Sequence, residues 1–374
     1  MNTLLLVDGN SIFNRAYFAL PAMNDSRGRN VNAVYGFLNI LLKAFADCAP
    51  THVAVAFDMP GKNFRHALYG DYKANRKGMP DDLAVQLPVL QDVLAAMNIA
   101  IVQKSGVEAD DIIGTLSKCP GAQKLLVTGD RDLLQLIDAD TTVLLTKKGV
   151  SEVERLDEKT LKENYSMEPW QIVEYKALRG DASDNIPGVR GVGEKTAAAL
   201  LAEYGSLDNI SLNLDKIKGS LRDKLVENKD TAYLSKKLAT IETCVDCACP
   251  LEEMKLKPFS PGLKDKFNEL EFRSLIKKLN LSETQPRAPE QTCAREKIED
   301  INALKALAQR LANIGGAFHI GGEVTFFDGK TLYSAAVSDN FLEGMNFADI
   351  LGASKPFLES AAEKCVYDAK SLKH

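Results

Sequence analysis

The sequence predicts an α/β protein whose main unit is a doubly wound, mostly parallel sheet. Short apolar runs of strand length recur through the first half, and each ends at an aspartate: residues 4–7 before Asp8, 53–57 before Asp58, and 125–129 before Asp130. The stretches between them, such as 34–46 and 83–97, carry apolar residues at helical spacing. Strands alternating with helices make a parallel sheet. Ligands of such sheets bind beyond the carboxyl ends of the strands, so all three aspartates are expected at one edge.

The later elements follow in order. From about Pro169 the pattern is helical through Leu279, punctuated by glycines over 188–193. Residues 281–291 are polar and proline-bearing, which predicts an interdomain linker. After it come a helical stretch over 301–312 and β-like runs near 317–320, 324–327 and 332–337, the expected start of another, incomplete α/β or α+β domain.

A length of 374 residues exceeds one ordinary core and predicts two or three domains. The chain is 45% hydrophobic and 26% charged, which excludes collagen-like, wholly disordered and disulfide-scaffold classes. No apolar run reaches about 18 residues. The first eight residues lack a charged lead and cleavage site, so the expected compartment is the cytoplasm. Seven cysteines, thinly spread, fit a reducing compartment; Cys244, Cys247 and Cys249 lack a nearby fourth ligand in sequence, which favours free thiols over zinc.

Charge is the more informative property. The chain carries 46 basic and 51 acidic residues, a formal charge of −5, unlike a typical nucleic-acid binder. Yet the acids arrive in groups at predicted strand and helix ends: Asp8; Asp58; Glu108, Asp110 and Asp111; Asp130 and Asp132; Asp181 and Asp184. One such aspartate is most often a cap or turn residue. Nine at successive element ends would repel strongly in one pocket unless divalent ions sat among them. No nucleophile elbow, phosphate loop or zinc helix competes as catalytic equipment. Carboxylate-held Mg²⁺ or Mn²⁺ suits phosphodiester hydrolysis. With those nine acids set aside, residues 1–290 hold 37 basic against 31 acidic residues, a surface that attracts a polyanion.

Two stretches are candidate grips on nucleic acid. Between Lys62 and Lys77, the cations Lys62, Arg65, Lys73, Arg76 and Lys77 face only Asp71 and are interleaved with Phe64, Tyr69 and Tyr72. Cations neutralise phosphates while aromatic rings stack on unpaired bases, although a solvated loop has the same composition. In the second, Gly188, Gly191 and Gly193 precede Lys195 and a helical run, where backbone amides can hold a phosphate. The same glycines also suit a plain helix–helix turn.

Taken together, Val7-Asp8-Gly9-Asn10, Ala56-Phe57-Asp58, Tyr72-Lys73-Ala74-Asn75-Arg76, Glu108-Ala109-Asp110-Asp111, Thr128-Gly129-Asp130-Arg131-Asp132 and Gly180-Asp181 through Gly188 resemble the motif series of the 5′ nuclease (flap endonuclease) family. The resemblance is closest to the 5′→3′ exonuclease regions of bacterial DNA polymerases I and spans about residues 1–280. It implies a PIN-like core over 1–175 with a helical arch at about 62–97, a helix-hairpin-helix duplex-binding subdomain over 176–280, and a linker over 281–296. It further implies that Asp8, Asp58, Glu108, Asp110 and Asp111 serve mainly one metal, and Asp130, Asp132, Asp181 and Asp184 the other. Lys73 and Arg76 would reach the scissile phosphate, with Tyr72 stacking beside them. Arg65, Lys77, Gly188, Gly191, Gly193 and Lys195 would bind DNA, with K⁺ at the hairpin.

Residues 297–374 resemble, less specifically, the start of an RNase H-like 3′→5′ exonuclease domain. Ala317-Phe318-His319 stands where its Asp-X-Glu would be, so proofreading is expected to be absent; the sequence holds no polymerase domain, which leaves either a fragment of a longer protein or a naturally short form. The function implied is two-metal cleavage of DNA and RNA primers at 5′ flaps and nicks, by a monomer at the bacterial nucleoid. A PIN-type ribonuclease and a non-catalytic junction-binding scaffold are the alternatives.

Overall fold

The computed structural model describes residues 2–76, 78–147, 152–247, 249–281, 294–320, 323–336, 345–362 and 364–366. The chain forms two compact units, Met1–Glu283 and Thr284–His374.

The first unit is built on a six-stranded sheet in the order β3-β2-β1-β4-β5-β6, from β1 (Asn2–Asp8), β2 (His52–Ala56), β3 (Ala100–Val102), β4 (Ala122–Thr128), β5 (Thr141–Thr146) and β6 (Val153–Leu156). All neighbours pair parallel except β5 and β6. The runs are apolar at every position because both faces are covered. Leu5, Val7, Val53, Val55, Leu125 and Val127 enter one layer, with helices Asn32–Cys48 and Gln86–Ala96. Leu4, Leu6, Ala54, Ala56, Leu126 and Val143 enter the other, with helix Ala109–Leu116. Alternation along each strand thus fills two cores from one sheet. The chain winds outward from β1 to β3, then returns to place β4 against the other side of β1. That reversal is the topological switch point, and Asp8 ends the strand beside it.

Two expected boundaries differ. Leu83, Leu90, Val93 and Leu94 are buried in the first layer, so the segment from 81 to 96 belongs to the core and is no part of an arch. Leu263, Phe267, Leu275 and Ile276 of helices Leu263–Glu269 and Arg273–Lys278 return to that same layer instead of joining the hairpin helices. Their apolar faces find the larger core. The hairpin region has a separate core made by residues such as Leu178, Val189, Val192, Leu200, Leu201 and Leu225.

The second unit holds a five-stranded mixed sheet, order β11-β8-β9-β10-β7, from β7 (Ala294–Lys297), β8 (Gly316–Ile320), β9 (Glu323–Phe327), β10 (Thr331–Ala336) and β11 (Lys364–Val366). Helices Ile301–Ile314 and Phe347–Leu358 pack in its core with Phe318 and Phe326. The expected linker is therefore too long at its end, since Ala294 to Lys297 pair parallel with β10. Among the described residues, no helix is long and apolar enough to cross a membrane.

Candidate active site

The site grows from strand ends. Asp8 closes β1 and caps helix Gly9–Ala19, its Oδ1 accepting from the Ser11 amide at 3.0 Å. Its Oδ2 accepts from the Thr128 hydroxyl at 2.7 Å, which ties the ends of β1 and β4 together. Gly9 is required here, because a Cβ would lie 2.6 Å from the Ala56 carbonyl oxygen of the neighbouring strand. Two residues beyond β2, the Asp58 amide donates to Asn10 Oδ1 at 2.8 Å, and Asp58 Oδ1 accepts from the Ala109 amide at 2.7 Å. Two residues beyond β4, Asp130 Oδ1 accepts from the Asp132 amide at 2.9 Å. Capping and turn bonds thus aim these carboxylates, so the structural role and the clustering are one arrangement.

The side chains converge. Asp8 feels the charges of Asp130 and Asp58, Asp110 those of Asp8, Asp130 and Asp132, and Asp132 those of Asp130 and Asp184. Burial, reinforced by this repulsion, pushes the Asp8 and Asp132 carboxyls up to about 7. Asp110 is driven well above the usual carboxylate range by burial and the same neighbours. Three cations offset the rest. Lys73 Nζ bonds Glu108 Oε1 at 2.7 Å and lies 3.8 Å from Asp184 Oδ2, while Arg76 pairs with Asp184. Lys176 pairs with both Asp132 and Asp181. Burial tends to raise the Glu108 pKa, but Lys73 and Arg65 outweigh it and hold the carboxyl below its ordinary value.

Because Asp8 and Asp132 hold their protons more tightly folded than unfolded, the stability this contributes is complete below the unfolded value near 3.8. It is lost as pH rises through about 7. The melting temperature of the metal-free protein is therefore expected to fall as pH rises from about 4 to about 7 and to level off above that. Mg²⁺ should reduce the fall, and a flat profile measured by calorimetry would contradict the burial of these charges.

The basic stretch docks on the second acidic loop. Lys73, in the left-handed region at φ 55°, donates its amide to the Asp184 carbonyl at 2.9 Å. Asn75 Nδ2 donates to the Ala182 carbonyl at 2.6 Å, and Asn185 Nδ2 to the Asp71 carbonyl at 2.7 Å. Lys73 and Arg76 are thereby held over the carboxylates.

Several expected residues have other occupations. Arg65 is 2% exposed, and its guanidinium bonds both oxygens of Asp111 at 2.7 Å and the carbonyls of Leu238 and Thr240. Asp111 is fully buried and also accepts from the Glu242 amide at 2.9 Å. With these bonds Asp111 faces no metal and Arg65 no phosphate, contrary to the sequence reading. The cause is their position: Asp111 lies on the inward face of helix Ala109–Leu116, and an ion pair inside the protein demands every bond it can get. Tyr72 is buried beside Val173, Ile186 and Leu238, its hydroxyl donating to Glu108 Oε2 at 3.2 Å, so it cannot stack on a base here.

Gly188 is buried, and its amide donates to Ser235 Oγ at 2.9 Å. A Cβ there would meet the Gly180 nitrogen at 2.2 Å, so this glycine serves close backbone packing rather than phosphate approach. Gly191, Gly193 and Lys195 are exposed around the start of helix Glu194–Tyr204, which Gly193 precedes. Lys77 lies outside the described residues. Sequence reasoning missed Lys176; its one signal was its place five residues before Asp181 on a helix aimed at the acidic loop.

Among the described residues, no three His, Cys, Asp or Glu groups stand in an arrangement ready to hold a metal ion. That covers the Cys244, Cys247 and Cys249 stretch, whose three cysteines, like Cys48 and Cys119, are free thiols. In the acidic site the ammonium and guanidinium groups stand between the carboxylates. The donor set nevertheless fits a hard divalent cation: it is all oxygen, and burial, reinforced by neighbouring carboxylates, holds four of its carboxyls, Asp8, Asp58, Asp110 and Asp132, above their ordinary range.

A family model described as the 5′–3′ exonuclease N-terminal resolvase-like domain matches residues 3–166, and one described as the 5′–3′ exonuclease C-terminal SAM fold matches 167–262. DNA polymerase I of Caldicellulosiruptor bescii is 40% identical over 383 residues, covering 99% of this chain and 43% of the relative. The Bacillus subtilis DNA polymerase I is 41% identical over 304 residues, covering 80% of this chain and 34% of the relative. The chain thus spans less than half the length of these curated relatives. Among solved structures, the bacteriophage T5 5′-exonuclease with bound zinc aligns at a TM-score of 0.53 and 19% identity, over 75% of this chain and 98% of that one. The T5 flap endonuclease in complex with DNA and metal ions aligns at 0.54 and 21%, over 72% and 100%. At these identities the solved structures share the fold.

Proposed function

Because the chain belongs to the 5′–3′ exonuclease family, we propose that it is a divalent-metal-dependent, structure-specific 5′ nuclease that cleaves DNA, and RNA primers, at 5′ flaps and nicks. The observation that carries this reading is the convergence of Asp8, Asp110, Asp130 and Asp132 at the sheet's switch point, beneath the cations Lys73 and Arg76. A helical hairpin unit with exposed glycines stands on the same compact unit. In this reading residues 1–175 are a PIN-like core, the hairpin region binds duplex with K⁺ at its turn, and the protein acts as a monomer. In the same reading the second unit is an RNase H-like domain without proofreading, a reading supported by strand β8, whose Ala317-Phe318-His319 carries no carboxylate.

Mg²⁺ or Mn²⁺ held by Asp8, Asp58, Glu108, Asp110 and Asp130, and on the other side by Asp132, Asp181 and Asp184, would activate water and neutralise charge on the phosphate. The chain's own groups do the rest. Thr128 and the Ser11 amide fix both oxygens of Asp8, so that carboxylate cannot rotate away. Asn63 and Arg65 orient Glu108 from behind, at 2.7 and 3.3 Å. Lys73 and Arg76, once released from Glu108 and Asp184, would turn to the scissile phosphate and stabilise its developing charge. Exposed amides near Gly193 and the Lys195 ammonium would hold the duplex backbone.

The test is cleavage of a labelled 5′-flap DNA. Product is expected with Mg²⁺ and none with EDTA. Equal cutting of linear RNA and flap DNA would favour a ribonuclease instead, and tight flap binding without product in Mg²⁺ a scaffold.

A further inference from the structure

We propose that Lys176 is a tethered counter-ion for the second carboxylate group, which a divalent ion must displace before it can occupy Asp132 and Asp181. The inference rests on the nuclease reading above. Lys176 Nζ bonds Asp181 Oδ2 at 2.5 Å and pairs with Asp132 Oδ1, and all three side chains are only 14% exposed. Three separate elements bring them together. Lys176 sits in the last turn of helix Gln171–Arg179. Asp181 follows the Gly180 turn, and its other oxygen is taken by the Ser183 amide and hydroxyl at 2.8 and 2.6 Å. Asp132 opens the short 3₁₀ turn Asp132–Leu136.

The ammonium therefore engages one oxygen of each carboxylate, and in Asp181 it holds the oxygen that Ser183 leaves open to an ion. A monovalent group on a flexible stem can be displaced by a divalent ion without backbone movement. While in place it keeps two like charges together and opposes a second positive charge. Lys73 and Arg76 do not duplicate this role, because they engage Glu108 and Asp184. The consequence is a site that stays assembled without metal and binds its ion at this pair weakly until added negative charge, such as a DNA phosphate, tips the balance.

The test is Mn²⁺ binding to the full chain, followed by electron paramagnetic resonance of the free ion. Lys176→Met is expected to bind its weakest Mn²⁺ about tenfold tighter than the unaltered protein, since a competing charge at contact distance is gone. Lys176→Arg should keep the weak affinity, and adding Asp132→Asn to Lys176→Met should remove the gain. General damage to the fold would weaken binding, so tightening is a result that a purely structural lysine does not give. Should Lys176→Met fail to fold, Lys176→Gln keeps hydrogen-bond donors without the charge and is read the same way. Unchanged or weaker Mn²⁺ binding, with Asp8→Asn still lowering it, would overturn the inference and leave the nuclease reading standing. Absence of Mn²⁺ binding in every variant would overturn both.

Discussion

Asp8→Asn is expected to reduce Mg²⁺-dependent flap cleavage by about 10³-fold while raising the melting temperature of the metal-free protein. Both parts follow from its surroundings. Asparagine retains an oxygen for the Ser11 amide and is as good a helix cap as aspartate. Its amide can also meet the Thr128 hydroxyl, which rotates to accept. Shape and capping survive, so what disappears is a buried negative charge facing Asp130 and Asp58. Without metal that charge is a liability, and its removal stabilises. With metal it is a ligand, and its removal costs activity. Had Asp8 been only a cap, the substitution would leave both quantities nearly unchanged. Opposite shifts in activity and melting temperature, measured on one preparation, separate the two cases.

The sheet was legible because its strands are buried on both faces, which forces unbroken apolar runs that stop at the polar strand ends. Asp8, Asp58 and Asp130 could be placed at one edge from that fact alone, and the structure puts them there. Depth was not legible. Asp110 and Asp111 are adjacent letters, yet they lie about 100° apart around a helix, so one faces the carboxylates and the other the interior. Arg65 and Lys73 look alike in a basic stretch, and only the position of helix Phe64–Leu68 against residues 238–240 separates a fully buried ion pair from a cation held over the acidic site. Gly188 and Gly193 likewise differ in what approaches them, a strand of the protein's own backbone or open space. Lys176 was missed for the same reason: a lysine on a helix is ordinarily solvated, and of its two partners Asp181 is near in sequence while Asp132 comes from a distant stretch of chain.

The Arg65–Asp111 pair gives the second large effect. Arg65→Met is expected to destabilise the protein by about 3–5 kcal/mol, because it strands a buried carboxylate rather than because the pair itself is worth so much. Asp111 would keep one bond, from the Glu242 amide, and lose its two guanidinium bonds, with the carbonyls of Leu238 and Thr240 also left unpaired. Removing both charges, in Arg65→Met with Asp111→Leu, should recover a large part of that loss, a non-additivity a urea double-mutant cycle would read directly. The sequence-based assignment of Arg65 to DNA makes a contrary prediction. A phosphate-binding arginine, once replaced, would leave stability intact and lower the salt dependence of flap binding by about one unit of slope. A stable Arg65→Met protein with a reduced slope would return Arg65 to the DNA interface. A destabilised one, with the slope unchanged in molecules that remain folded, places it in the scaffold that holds Glu108 against Lys73.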